Sequence, residues 1–170
     1  RNIMTSPFVA ILMGSDSDLP VMQATIDILK QFDISHEVRV RSAHRTPDAA
    51  KAYVKDAEER GCKVFICAAG LAAHLAGAVA GMTTRPVIGV PVDCGPLQGH
   101  DALLSTVMMP GGIPVATVAI GKAGAKNAGY LAAQILGVAD QSMADKVKAE
   151  RIANAKALLA KDEAMQAKLS

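Results

Sequence analysis

Five short apolar runs are separated along the chain by stretches in which apolar residues recur at helical spacing. We predict these runs as strands, because they are short and rich in aliphatic and β-branched residues. They cover residues 8–13, 38–40, 64–67, 87–90 and 115–120. Parallel strands need a crossover connection, which a helix usually supplies. The alternation therefore predicts an α/β fold with a parallel sheet.

Three predicted helices combine an apolar face with a residue that suits a helix end. Pro20 and Pro47 stand in first turns, where the missing N–H costs nothing, and Gly61 and Gly137 stand where helices commonly stop. Thr46 is the expected N-cap of the second helix. The apolar faces consist of Met22, Ile26 and Leu29, of Ala50, Tyr53, Val54 and Ala57, and of Ala128, Leu131, Ala132 and Ile135.

The strands differ in how completely they are apolar. Residues 8–13 are apolar throughout, which is typical of a strand buried on both faces, whereas residues 36–41 alternate and favour an edge strand. In open parallel sheets, ligands bind beyond the carboxyl ends of the strands, where the winding direction reverses. The loops that follow the strands are therefore the expected places for a site.

The chain divides into three parts. Residues 1–7 are polar and short, without the apolar segment of a signal peptide, and we expect them to be a disordered start. Residues 8–139 contain all predicted strands and form the expected α/β domain. Residues 140–170 are expected to form a C-terminal helical extension, because 143–169 contain neither glycine nor proline.

The C-terminal helix has a thin apolar stripe of Ile152, Ala155 and Leu159. Such a helix gains little by folding alone. We therefore expect it to pack on a neighbouring subunit, which makes the protein a homo-oligomer.

Composition excludes several classes of partner. The chain has 18 basic and 16 acidic residues, a formal charge of +2, and only 3 Phe, 2 Tyr and no Trp. Nucleic-acid binders need a one-sided basic field or aromatic stacking platforms, so we expect no nucleic-acid partner. No apolar run is long enough to span a membrane. We expect a soluble, cytoplasmic protein without a membrane partner.

Cysteine usage predicts free thiols. Cys62, Cys67 and Cys94 are odd in number and show no paired C-x-x-C spacing. A zinc site shared by Cys67 and His74 is the alternative, but regular ligand spacing is missing. We expect no metal.

The loop after the first strand reads Gly14-Ser15-Asp16-Ser17-Asp18 and leads into a helix. Glycine permits close backbone approach, and N–H groups at a helix start bind anions such as phosphate. Asp18 could accept hydrogen bonds from sugar hydroxyls. Two alternatives stay open: Ser17 or Asp18 could be a simple N-cap, and the two aspartates could bind a cation.

The next two loops offer different chemistry. After the second strand, Ser42, His44 and Arg45 supply a hydroxyl, an imidazole that can exchange protons near neutral pH, and a guanidinium suited to phosphate. A solvated surface pair of His44 and Arg45 is the alternative.

After the third strand, Gly70 to His74 offers small residues that could cradle a planar ligand, but no nucleophile. His74 could also be a cap or a packed imidazole.

Three motifs together resemble the class I 5-(carboxyamino)imidazole ribonucleotide mutases of purine biosynthesis. They are Gly14-Ser-Asp-Ser-Asp18, Ser42-Ala-His-Arg-Thr-Pro47 and Met109-Pro-Gly-Gly-Ile-Pro-Val115. The resemblance spans residues 8–139 and implies a three-layer α/β/α sandwich with a parallel, flavodoxin-like sheet. It further implies a homo-octamer with sites at subunit contacts, and transfer of a carboxylate from an exocyclic nitrogen to a ring carbon. No cofactor is implied: neither ATP, metal nor biotin.

The resemblance also assigns roles to site residues. Ser15, Ser42 and Arg45 would hold the phosphate, Asp18 the ribose hydroxyls, and His44 would be the general acid and base. Gly14, Gly70 and His74 complete the expected substrate site, and the small residues of the third loop would trap CO₂.

The chain departs from the family pattern in the third loop. Ala68 and Leu71 stand where the family has glycine, and Ala76 where it has proline. If Leu71 needs a positive φ, its branched side chain costs about 1 kcal/mol or more of strain.

Two alternative functions stay open from the sequence. The first is a class II-type aminoimidazole ribonucleotide carboxylase that uses free CO₂. The second is a non-catalytic phospho-ligand binder or receiver-like module with Asp93 as phosphoacceptor. Receiver chemistry needs acids that hold a cation at the end of the first strand, and Met13-Gly14 offers none there.

Overall fold

A computed structural model describes residues 7–169, which form one parallel sheet flanked by helices. The predicted disordered start lies outside the described residues, apart from Pro7. The strands are β1 (Phe8–Met13), β2 (His36–Val40), β3 (Cys62–Gly70), β4 (Val87–Val92) and β5 (Ala116–Thr117). The helices are α1 (Leu19–Gln31), α2 (Pro47–Glu59), α3 (Leu75–Ala80), α4 (His100–Val107), α5 (Gly121–Gly137) and α6 (Gln141–Leu169), and a 3₁₀ turn covers Asp16–Asp18.

The sheet has the order β2-β1-β3-β4-β5, and every pair is parallel. This is the flavodoxin-like strand order, in which the direction of winding along the sheet reverses between β1 and β3. The expectation that β2 lies at an edge and β1 inside the sheet is confirmed, although β3 is the middle strand. Met13 pairs with both Val40 and Ala68, so the loops after β1, β2 and β3 leave the sheet at the same edge.

Alternate residues of β1 enter two different cores, which is why the domain has three layers. Val9, Ile11 and Met13 pack with α1 and α5, whereas Ala10 and Leu12 pack with α2 and α3. Burying one large aliphatic side chain contributes roughly 1.5–3 kcal/mol, so a strand buried on both faces anchors both layers. The predicted α/β/α sandwich is confirmed.

Helices α1 and α5 approach each other closely because α5 presents small residues. A Cβ on Gly129 would lie 2.8 Å from Ile28, and Thr25 Oγ1 donates to the Ala125 carbonyl at 2.6 Å. A larger residue at position 129 would push the two helices apart. These contacts fix α1 against α5, and α1 begins directly after the turn that follows β1.

Strand β5 is shorter than the predicted run of residues 115–120. Only Ala116 and Thr117 pair with β4, after which the Val118 N–H donates to the Gly89 carbonyl. Gly124 lies against the Ala119 carbonyl, a packing that a Cβ would forbid. The chain therefore turns into α5 before the apolar run can extend the strand.

The predicted C-terminal helix is continuous, and none of its described residues is buried. Its first turns contact the domain: Met143 and Val147 pack on the α1/α5 core, and Lys146 Nζ lies 2.9 Å from Asp33. Further along, Ile152 is 61% exposed and Leu159 is 65% exposed. Across residues 7–169, no helix combines the length and apolar character needed to span a membrane.

Candidate active site

A cavity of about 500 Å³ opens at the carboxyl ends of β1, β2, β3 and β4. All site residues expected from the sequence line it: Gly14, Ser15, Asp18, Ser42, His44, Arg45, Gly70 and His74. Residues from loops up to sixty positions apart in sequence therefore share one space.

The loop after β1 is held by its own hydrogen bonds. Ser15 Oγ accepts from the Ser17 N–H at 3.3 Å, and Asp18 Oδ2 accepts from the Ser15 N–H at 3.1 Å. This reciprocal pair is a capping box. The loop therefore does contain a helix cap, but the capping side chain is Ser15 and not Ser17 or Asp18, the two residues expected from the sequence. Ser15 nevertheless lines the cavity.

Asp18 is a buried carboxyl group, and burial disfavours its charged form. It is only 6% exposed, and burial raises the pKa of its carboxyl, while backbone N–H groups of Ser15 and Gly14 lower that pKa by a smaller amount. A buried carboxylate next to an open cavity is available to accept hydrogen bonds from ligand hydroxyls.

The loop after β2 is a tight turn around Ser42. Thr46 Oγ1 accepts from the Ser42 N–H at 2.9 Å, and Ser42 Oγ accepts from the Arg45 N–H at 3.1 Å. Thr46 occupies the predicted N-cap position of α2, but its hydroxyl bonds Ser42 instead of a helix N–H. The turn thereby fixes the backbone that carries His44 and Arg45.

Arg45 ties the first two loops together. Its Nη2 donates to the Gly14 carbonyl at 2.8 Å. A guanidinium has five N–H donors, so this bond leaves others for an anion in the cavity. Arg45 is exposed, but this bond orients its guanidinium toward the β1 loop.

His44 and His74 are hydrogen-bonded to each other. His44 Nε2 lies 2.6 Å from His74 Nδ1, and the rings meet edge to face with centroids 4.7 Å apart. His74 precedes α3 but makes no side-chain cap bond there, so its imidazole serves this contact instead. In a hydrogen bond between two imidazole nitrogens, one ring donates its N–H and the other accepts.

The loops after β3 and β4 pack closely against each other. A Cβ on Gly70 would lie 2.0 Å from Cys94 Sγ, so any larger residue there requires the Cys94 side chain to move. The next residue, Leu71, has a φ of 55°, in the left-handed region that favours glycine. The expected strain at Leu71 is therefore present.

Several lining residues had no individual role predicted from the sequence, although the β3 loop as a whole was expected to cradle the ligand. They are Ser17, Ala43, Ala69, Leu71, Ala72, Leu75 and Cys94. Most are neighbours of assigned residues in the first three loops. Cys94 is different, because it lies in the loop after β4. The one sequence signal for a site role at Cys94 is its position just after an apolar strand.

Cys67 of the zinc alternative and Asp93 of the phosphoacceptor alternative lie outside the cavity, whereas His74 lines it. Cys67 is buried within β3, where burial raises the pKa of its thiol, and burial raises the pKa of Cys62 to about 11. In the part of the chain between residues 7 and 169, no three His, Cys, Asp or Glu side chains are grouped to hold a metal ion. Asp93 lies against Gly121 at the start of α5 and does not line the cavity.

Comparisons with known proteins agree on one family. The model of the AIR carboxylase family matches residues 8–157. The chain is 58% identical to the N5-carboxyaminoimidazole ribonucleotide mutase of Thermotoga maritima, over 84% of this chain and 82% of that protein. It is 55% identical to the enzyme of the same name from Bacillus subtilis, over 85% and 90% of the two chains.

A solved structure has the same fold. The crystal structure of Treponema denticola PurE superposes with a TM-score of 0.84 at 34% identity, covering 93% of this chain and 98% of that one. Family match, sequence identity and fold therefore lead to the same assignment: the chain belongs to the AIR carboxylase family.

Proposed function

We propose that this protein is an N5-carboxyaminoimidazole ribonucleotide mutase of purine biosynthesis. It converts 5-(carboxyamino)imidazole ribonucleotide to 4-carboxy-5-aminoimidazole ribonucleotide, which makes it an isomerase. The names of its relatives support this function. The observation that carries it here is the cavity in which hydroxyls, a guanidinium and an imidazole meet.

The polar groups of the first two loops suit a ribose phosphate. Ser15, Ser42 and Arg45 supply hydroxyl and guanidinium donors to the phosphate, with the 2.8 Å bond from Arg45 to Gly14 orienting the guanidinium. Asp18, buried beside them, accepts from the ribose hydroxyls. The ligand thus exchanges water for a prearranged set of donors and acceptors, which lowers the entropic cost of binding.

His44 is the proton carrier in this proposal. As the exocyclic nitrogen loses its carboxylate as CO₂, the electron pair of the broken C–N bond stays on nitrogen and takes a proton from His44. The ring carbon then attacks CO₂ to form the new C–C bond, and the ring proton at that carbon passes to His44. The imidazole ends as it began, so no external acid or base is consumed.

His74 orients His44. The 2.6 Å contact engages one ring nitrogen of His44, which leaves the other to exchange a proton with the substrate. The tautomer of the pair is set by which ring donates. His74 therefore acts on the reaction through His44 rather than by its own proton transfer.

Released CO₂ must be recaptured before it leaves. The small residues Ala69, Gly70 and Ala72 let the backbone of the β3 loop close on the ligand, and they line the same cavity as His44. Holding both fragments together replaces a bimolecular recombination by an intramolecular one.

Assembly and location belong to the same proposal. Residues 8–139 are the catalytic domain, and α6 packs on a neighbouring subunit of a homo-octamer. The exposed apolar residues Ile152, Leu158 and Leu159 along α6 support this, because a stable solvent-exposed helix does not need them. The enzyme binds its nucleotide in the cytoplasm, where purine synthesis takes place.

The experiment uses the purified full chain and synthetic 5-(carboxyamino)imidazole ribonucleotide, without ATP, metal or added bicarbonate. We expect the 4-carboxy isomer to form, followed by its ultraviolet absorbance. If the isomer forms only from 5-aminoimidazole ribonucleotide and bicarbonate, the enzyme is a carboxylase of the class II type and the proposal is wrong.

A further inference from the structure

Leu71 is held in a backbone conformation that its side chain disfavours. Its φ is 55°, and the other non-glycine residues with positive φ in the described chain are Asp33 and Gln98. Aspartate tolerates this region because its short side chain bonds locally, whereas a branched aliphatic side chain does not. Strain of this kind persists where the surrounding structure or a ligand makes use of it.

Core packing does not explain Leu71. Its side chain is 52% exposed, while Leu75, on the same cavity wall, is 2% exposed and belongs to the core. Leu71 lines the cavity, and its Cδ2 lies so near the β4 loop that a Cβ on Gly95 would come within 2.7 Å of it. The side chain thus bridges the β3 and β4 loops at the cavity and keeps an apolar surface open.

The strand order separates this apolar surface from the phosphate-binding groups. In the order β2-β1-β3-β4, the loops of β2 and β1 carry Arg45 and Ser15, whereas Leu71 lies between the loops of β3 and β4. Neighbouring strands are spaced by about 4.8 Å, so the two ends of the cavity are on the order of one nucleotide apart. A ribonucleotide with its phosphate at the first end places its heterocycle at the second.

We propose that Leu71 is a specificity-determining residue that packs against the heterocyclic base of the bound ribonucleotide. This inference rests on the proposed function and deepens it. The apolar side chain removes water from one face of the ring and distinguishes a nucleotide from a bare sugar phosphate. The strained backbone holds that side chain over the cavity instead of in the core.

The test compares two ligands by calorimetry on the full chain: 4-carboxy-5-aminoimidazole ribonucleotide and ribose 5-phosphate. We expect Leu71→Ala to weaken binding of the nucleotide roughly tenfold, the scale of lost apolar contact in a pocket. Binding of ribose 5-phosphate should change less than twofold, because it lacks the base. KM for the nucleotide should rise by the same factor as its Kd, with kcat nearly unchanged.

Gln98→Ala is the matched control. Gln98 has a φ of 53°, is exposed and does not line the cavity, and both variants keep a Cβ on a left-handed backbone. We expect this variant to bind both ligands as the wild type does.

The outcomes separate the inference from the function on which it rests. If wild-type protein isomerises the nucleotide but Leu71→Ala loses less than twofold affinity for it, only the inference is wrong. An equal loss for both ligands also overturns the inference, since it indicates a distorted loop. If wild-type protein binds neither ligand, the proposed function and the inference fail together.

Discussion

The two ends of the cavity differ in the kind of contact that holds them together. At the end formed by the β1 and β2 loops, polar side chains bond one another and the backbone, as in the Arg45 to Gly14 and Asp18 to Ser15 contacts. At the end formed by the β3 and β4 loops, the contacts are steric, with Cys94 filling the space beside Gly70.

The difference explains how one cavity can combine binding and chemistry. Directional hydrogen bonds fix a charged group in place, whereas close apolar packing excludes water from the atoms that react. His44 belongs to the polar end and His74 to the apolar one, so their hydrogen bond joins the two. Substitutions confined to one end of the cavity therefore test this division.

The largest expected effect comes from replacing His44, the proposed proton carrier. His44→Asn should lower kcat by about 10²-fold or more, because a positioned proton-transfer group typically contributes at least that much. Binding of 4-carboxy-5-aminoimidazole ribonucleotide should be retained, as measured by calorimetry. His100→Asn is the control, since His100 bonds the Leu97 carbonyl and does not line the cavity. Unchanged turnover in His44→Asn would contradict the assignment.

Removing the guanidinium should affect binding rather than turnover. Arg45→Ala is expected to raise KM by roughly 10- to 100-fold, which corresponds to the loss of a hydrogen bond to a charged group. Steady-state kinetics at constant ionic strength measure the effect. Arg85→Ala, which removes an exposed arginine outside the cavity, should leave KM unchanged. A fall in kcat alone would show that Arg45 does not hold the phosphate.

At the apolar end, a single methyl group should be harmful. Gly70→Ala forces a Cβ into Cys94 Sγ, and overpacking of this kind typically costs about 1–3 kcal/mol. Thermal unfolding should show a lower Tm, and adding Cys94→Ala should restore part of it. Gly111→Ala is the matched control, because nothing lies within 4 Å of the added Cβ. If all three variants melt together, the loops are not packed as described.

The smallest effect concerns the buried carboxylate. Burial raises the pKa of Asp18 above its ordinary 3.8, because the charged carboxylate is disfavoured in the folded state. At pH values above that raised pKa, the buried charge therefore lowers the free energy of unfolding. Asp18→Asn should therefore increase Tm slightly at pH 7, and the gain should shrink as pH falls toward 3.8. Ligand binding should weaken in the same variant. A Tm gain that grows at acid pH would reverse the sign and refute the argument.

The contrast between the two ends also marks what the sequence could predict. The bounds of β1, the edge position of β2 and the polar lining residues follow from local patterns, because each motif directly follows a strand. The His44 to His74 bond and the place of Cys94 depend on how distant loops meet, which no local pattern contains. The shortness of β5 likewise depends on tertiary packing at Gly124.

The most direct test of the account is whether the carboxylate ever leaves the cavity. Substrate labelled with ¹³C in its carboxylate is converted in unlabelled bicarbonate, and the label in the 4-carboxy product is measured by mass spectrometry. Intramolecular transfer beside His44 predicts that the product keeps the label. A product carboxylate that matches the bicarbonate in solution would contradict it.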